Sequence, residues 1–184
     1  MAAISPDPLQ RGFPAPDFTL VGVDGRRWSL AELRGPRGLV VAFICNHCPF
    51  VKAVIGRLVR DARDLKPLGV NTVAICSNDA AAYPEDDFTH MVAFARDHGF
   101  DFPYLHDVSQ DVARAYGAVC TPDLFGFNAE LQLQYRGQID ASRRDPAPPG
   151  SRRDLFEAMT QVASSGIGPE HQVAAIGCSI KWKD

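Results

Sequence analysis

The chain has 184 residues, 46% hydrophobic and 22% charged, with a net charge of −3, which describes one soluble globular domain over residues 1–184. The acidic balance excludes a nucleic-acid footprint, and no apolar run approaches membrane-spanning length. The N-terminus has neither a basic nor an apolar leader region, so a cytoplasmic setting is expected, where the five cysteines are free thiols rather than a disulfide framework.

Residues 1–12 read as a loose, proline-containing arm. Asp24-Gly25, between short extended runs ending at Leu20 and Trp28, signals a hairpin. Ser29-Leu30-Ala31-Glu32 is a capping box for a short helix closed by Gly35. Residues 40–44 form an apolar, Val-rich run that predicts a buried strand. From Pro49 the period changes: Val51, Val54, Ile55, Leu58, Ala62 and Leu65 share one face of a helix that ends near Pro67 and Gly69. Residues 70–76 give a second buried strand, so a right-handed parallel crossover is expected.

A polar loop, Ser77-Asn78-Asp79, follows. Residues 84–98 read as one helix with Phe88, Met91, Val92 and Ala95 inward. Residues 102–107 are extended, and 110–116 make a short helix. Residues 124–127 and 131–135 form a strand pair. Residues 145–150 are a proline-rich loop. The last helix starts at residues 151–154 and buries Leu155, Met159 and Val162. In the tail, residues 168–184, Ile176, Ile180 and Trp182 alternate and are expected to bury one face.

Chemistry concentrates in Cys45-Asn46-His47-Cys48. The two thiols sit where a strand hands over to a helix. Unpaired N–H groups and the positive end of the dipole stabilise a thiolate there. A zinc site would need two more ligands, and no second Cys-x-x-Cys or His-x-x-His exists. Two inert core thiols are the remaining plain alternative. Haem attachment is excluded because Pro49 follows Cys48 where a histidine is required. His47 adds a donor and, when protonated, a positive charge beside the thiols.

Cys-x-x-Cys at a strand–helix junction, with Thr121-Pro122 downstream, resembles the thioredoxin-like superfamily, and in detail its redoxin or AhpC/TSA branch, from about Phe13 onward. The resemblance implies an α/β thioredoxin-like fold: a central mixed β-sheet flanked by helices, with an N-terminal hairpin. It implies a thiol–disulfide oxidoreductase in which Cys45 is the more exposed, attacking thiolate with a depressed pKa and Cys48 the resolving thiol. His47 would tune the pair. Thr121 and a cis Pro122 would face it and bind substrate.

The implied partners are protein or small-molecule disulfides, hydroperoxides under a peroxidase reading, and an electron donor; no cofactor, metal, nucleic acid or membrane is implied. A redox-sensing or binding module is the non-enzymatic alternative. Three departures stand out. Ile44 replaces the usual tryptophan before the first cysteine. Leu39 replaces the buried acid six residues before it, leaving His47 or Asp123 as substitutes. Cys45 stands where peroxiredoxins carry threonine. Cys76, Cys120 and Cys178 are expected to be structural thiols.

Overall fold

The computed structural model describes residues 3–7 and 10–183. The ends of the expected arm and tail at Met1, Ala2 and Asp184, and Pro8 and Leu9, lie outside the described residues. The strands are β1 (Ala3–Ile4), β2 (Thr19–Gly22), β3 (Arg27–Ser29), β4 (Gly38–Phe43), β5 (Val70–Cys76), β6 (Tyr104–His106), β7 (Cys120–Thr121), β8 (Asp123–Asn128), β9 (Leu133–Arg136) and β10 (Gly177–Ser179). The helices are α1 (Leu30–Leu33), α2 (Pro49–Leu65), α3 (Phe88–Asp97), α4 (Asp111–Tyr116) and α5 (Asp154–Ser165).

Seven strands form a mixed sheet in the order β3-β2-β6-β5-β4-β8-β9. Beside the middle strand β5 lies β4, parallel to it from Gly38–Val70 to Phe43–Ile75 and antiparallel to β8 on its other side. Every residue of β4 is buried, and the strand's two-residue period divides its side chains between two cores. Val40, Ala42 and Ile44 face a cluster with Val54, Ile55 and Leu58 of α2 and Leu155 and Met159 of α5. Leu39, Val41 and Phe43 face the opposite cluster, with Phe18, Leu30, Leu33 and Tyr116. Each such buried aliphatic contributes roughly 1.5–3 kcal/mol. Strand β4 is therefore fixed from both faces, and so is the loop that leaves it toward Cys45.

The apolar face predicted for α2 is buried along its length, from Val51 to Leu65. The capping box at Ser29 and Glu32 forms. Residues 84–98 differ from the single helix expected. A 3-10 turn at Pro84–Asp86 is separated from α3 by Asp87, whose side chain accepts from the His90 N–H as an N-cap. That break turns Asp86 inward.

A second, three-stranded sheet has the order β1-β10-β7. Where the sequence suggests a loose arm, Ala3 and Ile4 pair with Cys178 and Gly177. Cys178 and Ser179 pair in turn with Thr121 and Cys120. Backbone bonds secure the tail: Ile180 N–H to Val119 O at 3.0 Å, Lys181 N–H to Asn78 Oδ1 at 2.9 Å, and Asp79 N–H to Lys181 O at 2.8 Å. Ile180 is buried as expected, but Trp182 is not; it remains partly exposed, with Arg114 over its ring. Among the described residues no helix is long and apolar enough to cross a membrane.

Candidate active site

The site forms where β4 ends. The chain leaves the sheet after Phe43, carries Cys45, Asn46 and His47 across a short loop, and enters α2 with Cys48 as its N-cap and Pro49 at the first position. Pro49 suits that position because its missing N–H has no partner there in any case. The loop is held by a polar cluster around Asp86, a fully buried acid. Asp86 accepts from Asn46 N–H at 2.8 Å, from Asn78 Nδ2 at 2.7 Å and from His47 Nδ1 at 2.7 Å. Asn46 Oδ1 accepts from the buried Tyr104 hydroxyl at 3.0 Å. Tyr83 stacks on the His47 ring.

The peptide bond between Thr121 and Pro122 is cis, and Thr121 touches both cysteines. Its hydroxyl lies 3.4 Å from Cys45 Sγ, and its carbonyl lies 3.1 Å from Cys48 Sγ. Cys45, Cys48, Thr121 and Pro122 therefore meet in one place, with His47 at its edge.

The pKa shifts of the pair run opposite to the depressed Cys45 pKa expected. Cys45 is no more exposed than Cys48; they are 1% and 0% exposed. The Cys45 thiol is held well above its ordinary pKa, first by its hydrogen bond to Cys48, then by burial and by the charge of Asp86. Cys48 is brought down to about 4, first by the Cys45 thiol, and further by the Cys178 thiol, the Thr121 hydroxyl and the Val51 N–H. Burial and the Thr121 carbonyl, which accepts only from a protonated thiol, oppose this but do not prevail. The directions of the two shifts favour the anion on Cys48, at the positive end of α2, over Cys45. Cys76 and Cys120 are both pushed upward by desolvation, in Cys76 against the Asn78 N–H and the Tyr104 hydroxyl.

Asp123 is committed elsewhere. It pairs with Arg136 at 2.9 Å and accepts from Val119 N–H, so it does not replace the acid missing at Leu39. A sulfur of Cys45, a ring nitrogen of His47 and a carboxylate oxygen of Asp86 lie within 4.8 Å of one another, a spacing a metal ion could bridge. The Asp86 oxygens, however, are already engaged by three donors. Sequence reasoning missed Asp86, Asn78 and Tyr104; the acidic run Glu85-Asp86-Asp87 before Phe88 was the available signal. Cys178, expected to be a structural tail thiol, lies in the same buried cluster as Cys45 and Cys48.

The AhpC/TSA family model matches residues 12–139. The chain is 25% identical over 122 residues to the thiol-disulfide oxidoreductase ResA of Bacillus subtilis, a match spanning 66% of this chain and 64% of ResA. It is 30% identical over 118 residues to a Mycobacterium tuberculosis protein named "Putative peroxiredoxin", covering 64% of this chain and 70% of that one. A solved structure described as an uncharacterized conserved protein from Geobacillus kaustophilus has 45% identity and a TM-score of 0.94, with coverage of 100% of this chain and 97% of that one. The fold is thioredoxin-like, and the chain belongs to the AhpC/TSA family.

Proposed function

We propose that the chain is a thiol–disulfide oxidoreductase whose working pair is Cys45 and Cys48. The observation that carries this reading is the placement of both sulfurs on Thr121, and the lowered Cys48 pKa makes Cys48 the attacking thiol. In the reduced state the Cys48 thiolate attacks one sulfur of a substrate disulfide. A Cys48–substrate bond forms, and the other substrate sulfur leaves as a thiolate. The Cys45 thiol, losing its proton to that thiolate, then attacks Cys48 Sγ. The Cys45–Cys48 bond forms and the second substrate sulfur departs. The substrate has gained two electrons and the pair has lost them; a dithiol donor reverses the oxidation.

His47 fits an orienting role. Asp86 takes the Nδ1 side of the ring, and Nε2 is buried without a hydrogen-bond partner. Thr121 positions both sulfurs, but β10 already pairs with its backbone, so a substrate strand would have to displace that strand.

A hydroperoxide reading has its own support: both sulfurs are enclosed, which favours a small oxidant. The Cys48 thiolate would take the distal oxygen of the peroxide as a sulfenate, releasing the alcohol, and, with one proton from solvent, the Cys45 thiol would condense with it to give the disulfide and water. Parallel assays of disulfide reduction and hydroperoxide reduction, on the wild type and on Cys45→Ser and Cys48→Ser, test both. Disulfide turnover that needs both cysteines supports the first reading. Hydroperoxide turnover that is lost in Cys48→Ser, with no disulfide turnover, supports the second.

A further inference from the structure

Three thiols, not two, meet at Thr121. Cys45 faces its hydroxyl and Cys48 its carbonyl, while Cys178 is its strand partner across the β7–β10 ladder. The approach of β10 is unusually close. A Cβ built on Gly177 would lie 2.1 Å from the Thr121 carbonyl oxygen, so only glycine lets the tail press against the carbonyl that Cys48 also touches. The tail is also tied down on its far side, through Asn78 and Gln110, to the ends of β5 and α4. Cys178 is thus a buried thiol set against Cys48 by a fixed strand.

We propose that Cys178 is a third redox thiol, which takes over Cys48 from Cys45 by internal disulfide exchange. The proposal rests on the Cys45–Cys48 redox pair. Once that disulfide has formed, the Cys178 thiolate attacks Cys48 Sγ. The Cys48–Cys178 bond forms and the Cys45–Cys48 bond breaks. The electron pair leaves on Cys45 Sγ, which takes up the proton that Cys178 lost. No further oxidant is consumed, because the two electrons already left with the substrate disulfide.

The electrostatics supply the timing. In the reduced protein, burial and then the neighbouring Cys48 thiolate push Cys178 up to about 11, so it remains protonated. A Cys45–Cys48 disulfide removes the Cys48 charge and leaves Lys181 and Arg144, both of which favour the Cys178 anion. Oxidation of the pair therefore lowers the Cys178 pKa, burial remaining as the cause that opposes the anion, and exchange returns Cys45 to the thiol state while the oxidising equivalent is stored against the tail.

The test treats the reduced full-length protein with one equivalent of diamide, quenches in acid at increasing times, alkylates the free thiols and maps the disulfides by mass spectrometry. The expected result is a Cys45–Cys48 link that appears first and a Cys48–Cys178 link that grows from it, with matching loss of alkylation at Cys178. In Cys45→Ser, Cys48–Cys178 should be the major product. If Cys45–Cys48 accumulates in the wild type while Cys178 stays fully alkylated in the wild type and in Cys45→Ser, the proposal is overturned and the redox pair stands. If none of the three cysteines becomes oxidised, the pair and the proposal fall together.

Discussion

His47 Nδ1 lies 2.7 Å from Asp86 Oδ2, joining the loop between the two cysteines to a fully buried acid 39 residues further along the chain. The same carboxylate holds the Asn46 backbone and the Asn78 side chain. One acid therefore sets the position of Cys45 from the far side of the site.

Asp86→Asn should be costly, because an amide offers one acceptor oxygen where three donors converge. Leaving one or more buried donors unpaired should lower stability by about 1–3 kcal/mol. It also removes one of the causes that raise Cys45, after the bond to Cys48 and burial, so Cys45 should alkylate faster at a given pH than in the wild type. Urea unfolding of the reduced protein and timed alkylation measure the two effects. An unchanged midpoint would show that Asp86 does not anchor the loop.

The thiolate should be visible spectroscopically. Absorbance at 240 nm should persist in the reduced protein from neutral pH down to about 4, where Cys48 takes up its proton. Cys45→Ser keeps a donor beside Cys48 and should keep the signal; Cys48→Ser should lose it. The stability follows with a definite sign. The folded value lies below the ordinary thiol value of about 8.5, so the contribution is complete above that pH and is lost as pH falls toward about 4. Relative to Cys48→Ser, the reduced wild type should gain stability across this window. A signal lost in Cys45→Ser and kept in Cys48→Ser would place the charge on Cys45.

Gly177→Ala should loosen the tail. Its methyl group would meet the Thr121 carbonyl, a backbone atom that cannot rotate away. Relief requires β10 to shift from β7, and a cost of about 1–3 kcal/mol is expected for such overpacking. Cys178 should become more reactive to alkylation in the same variant. Wild-type stability and wild-type Cys178 reactivity in Gly177→Ala would show that the close approach is unimportant.

Arg136→Ala should destabilise the protein by about 3–5 kcal/mol, because it strands a buried charge. Asp123 is fully buried, and Arg136 is its ion-pair partner. Replacing both residues, as Asp123→Leu with Arg136→Leu, should recover much of the loss. Denaturant midpoints of the single and double variants test this, and additive losses would contradict it.

The sequence carried the centre of the site well. A Val-rich strand with both faces buried and a helix of regular apolar spacing have local signatures, and both cysteines lie at their junction. Thr121-Pro122 was legible from resemblance alone. The helix break at Asp87 had a weaker sign, an N-cap residue after Pro84, and without it Asp86 looked like one more exposed acid. The location of Cys178 had no local sign, because a three-residue strand pairing across most of the chain leaves no periodicity to read. Which cysteine holds the proton was not legible either. That depends on burial, on donors from three separate segments and on the charge of Asp86, none of which is a property of Cys-x-x-Cys spacing.

The placement of β10 between β1 and β7 couples distant parts of the molecule. Among the described residues, β10 is the only strand paired with β1, so an event that lifts Cys178 from Thr121 carries Ala3 and Ile4 along with it. The two ends of the described chain should then move as one unit, and the environment of residues 3 and 4 becomes a remote reporter of the redox state of the thiols.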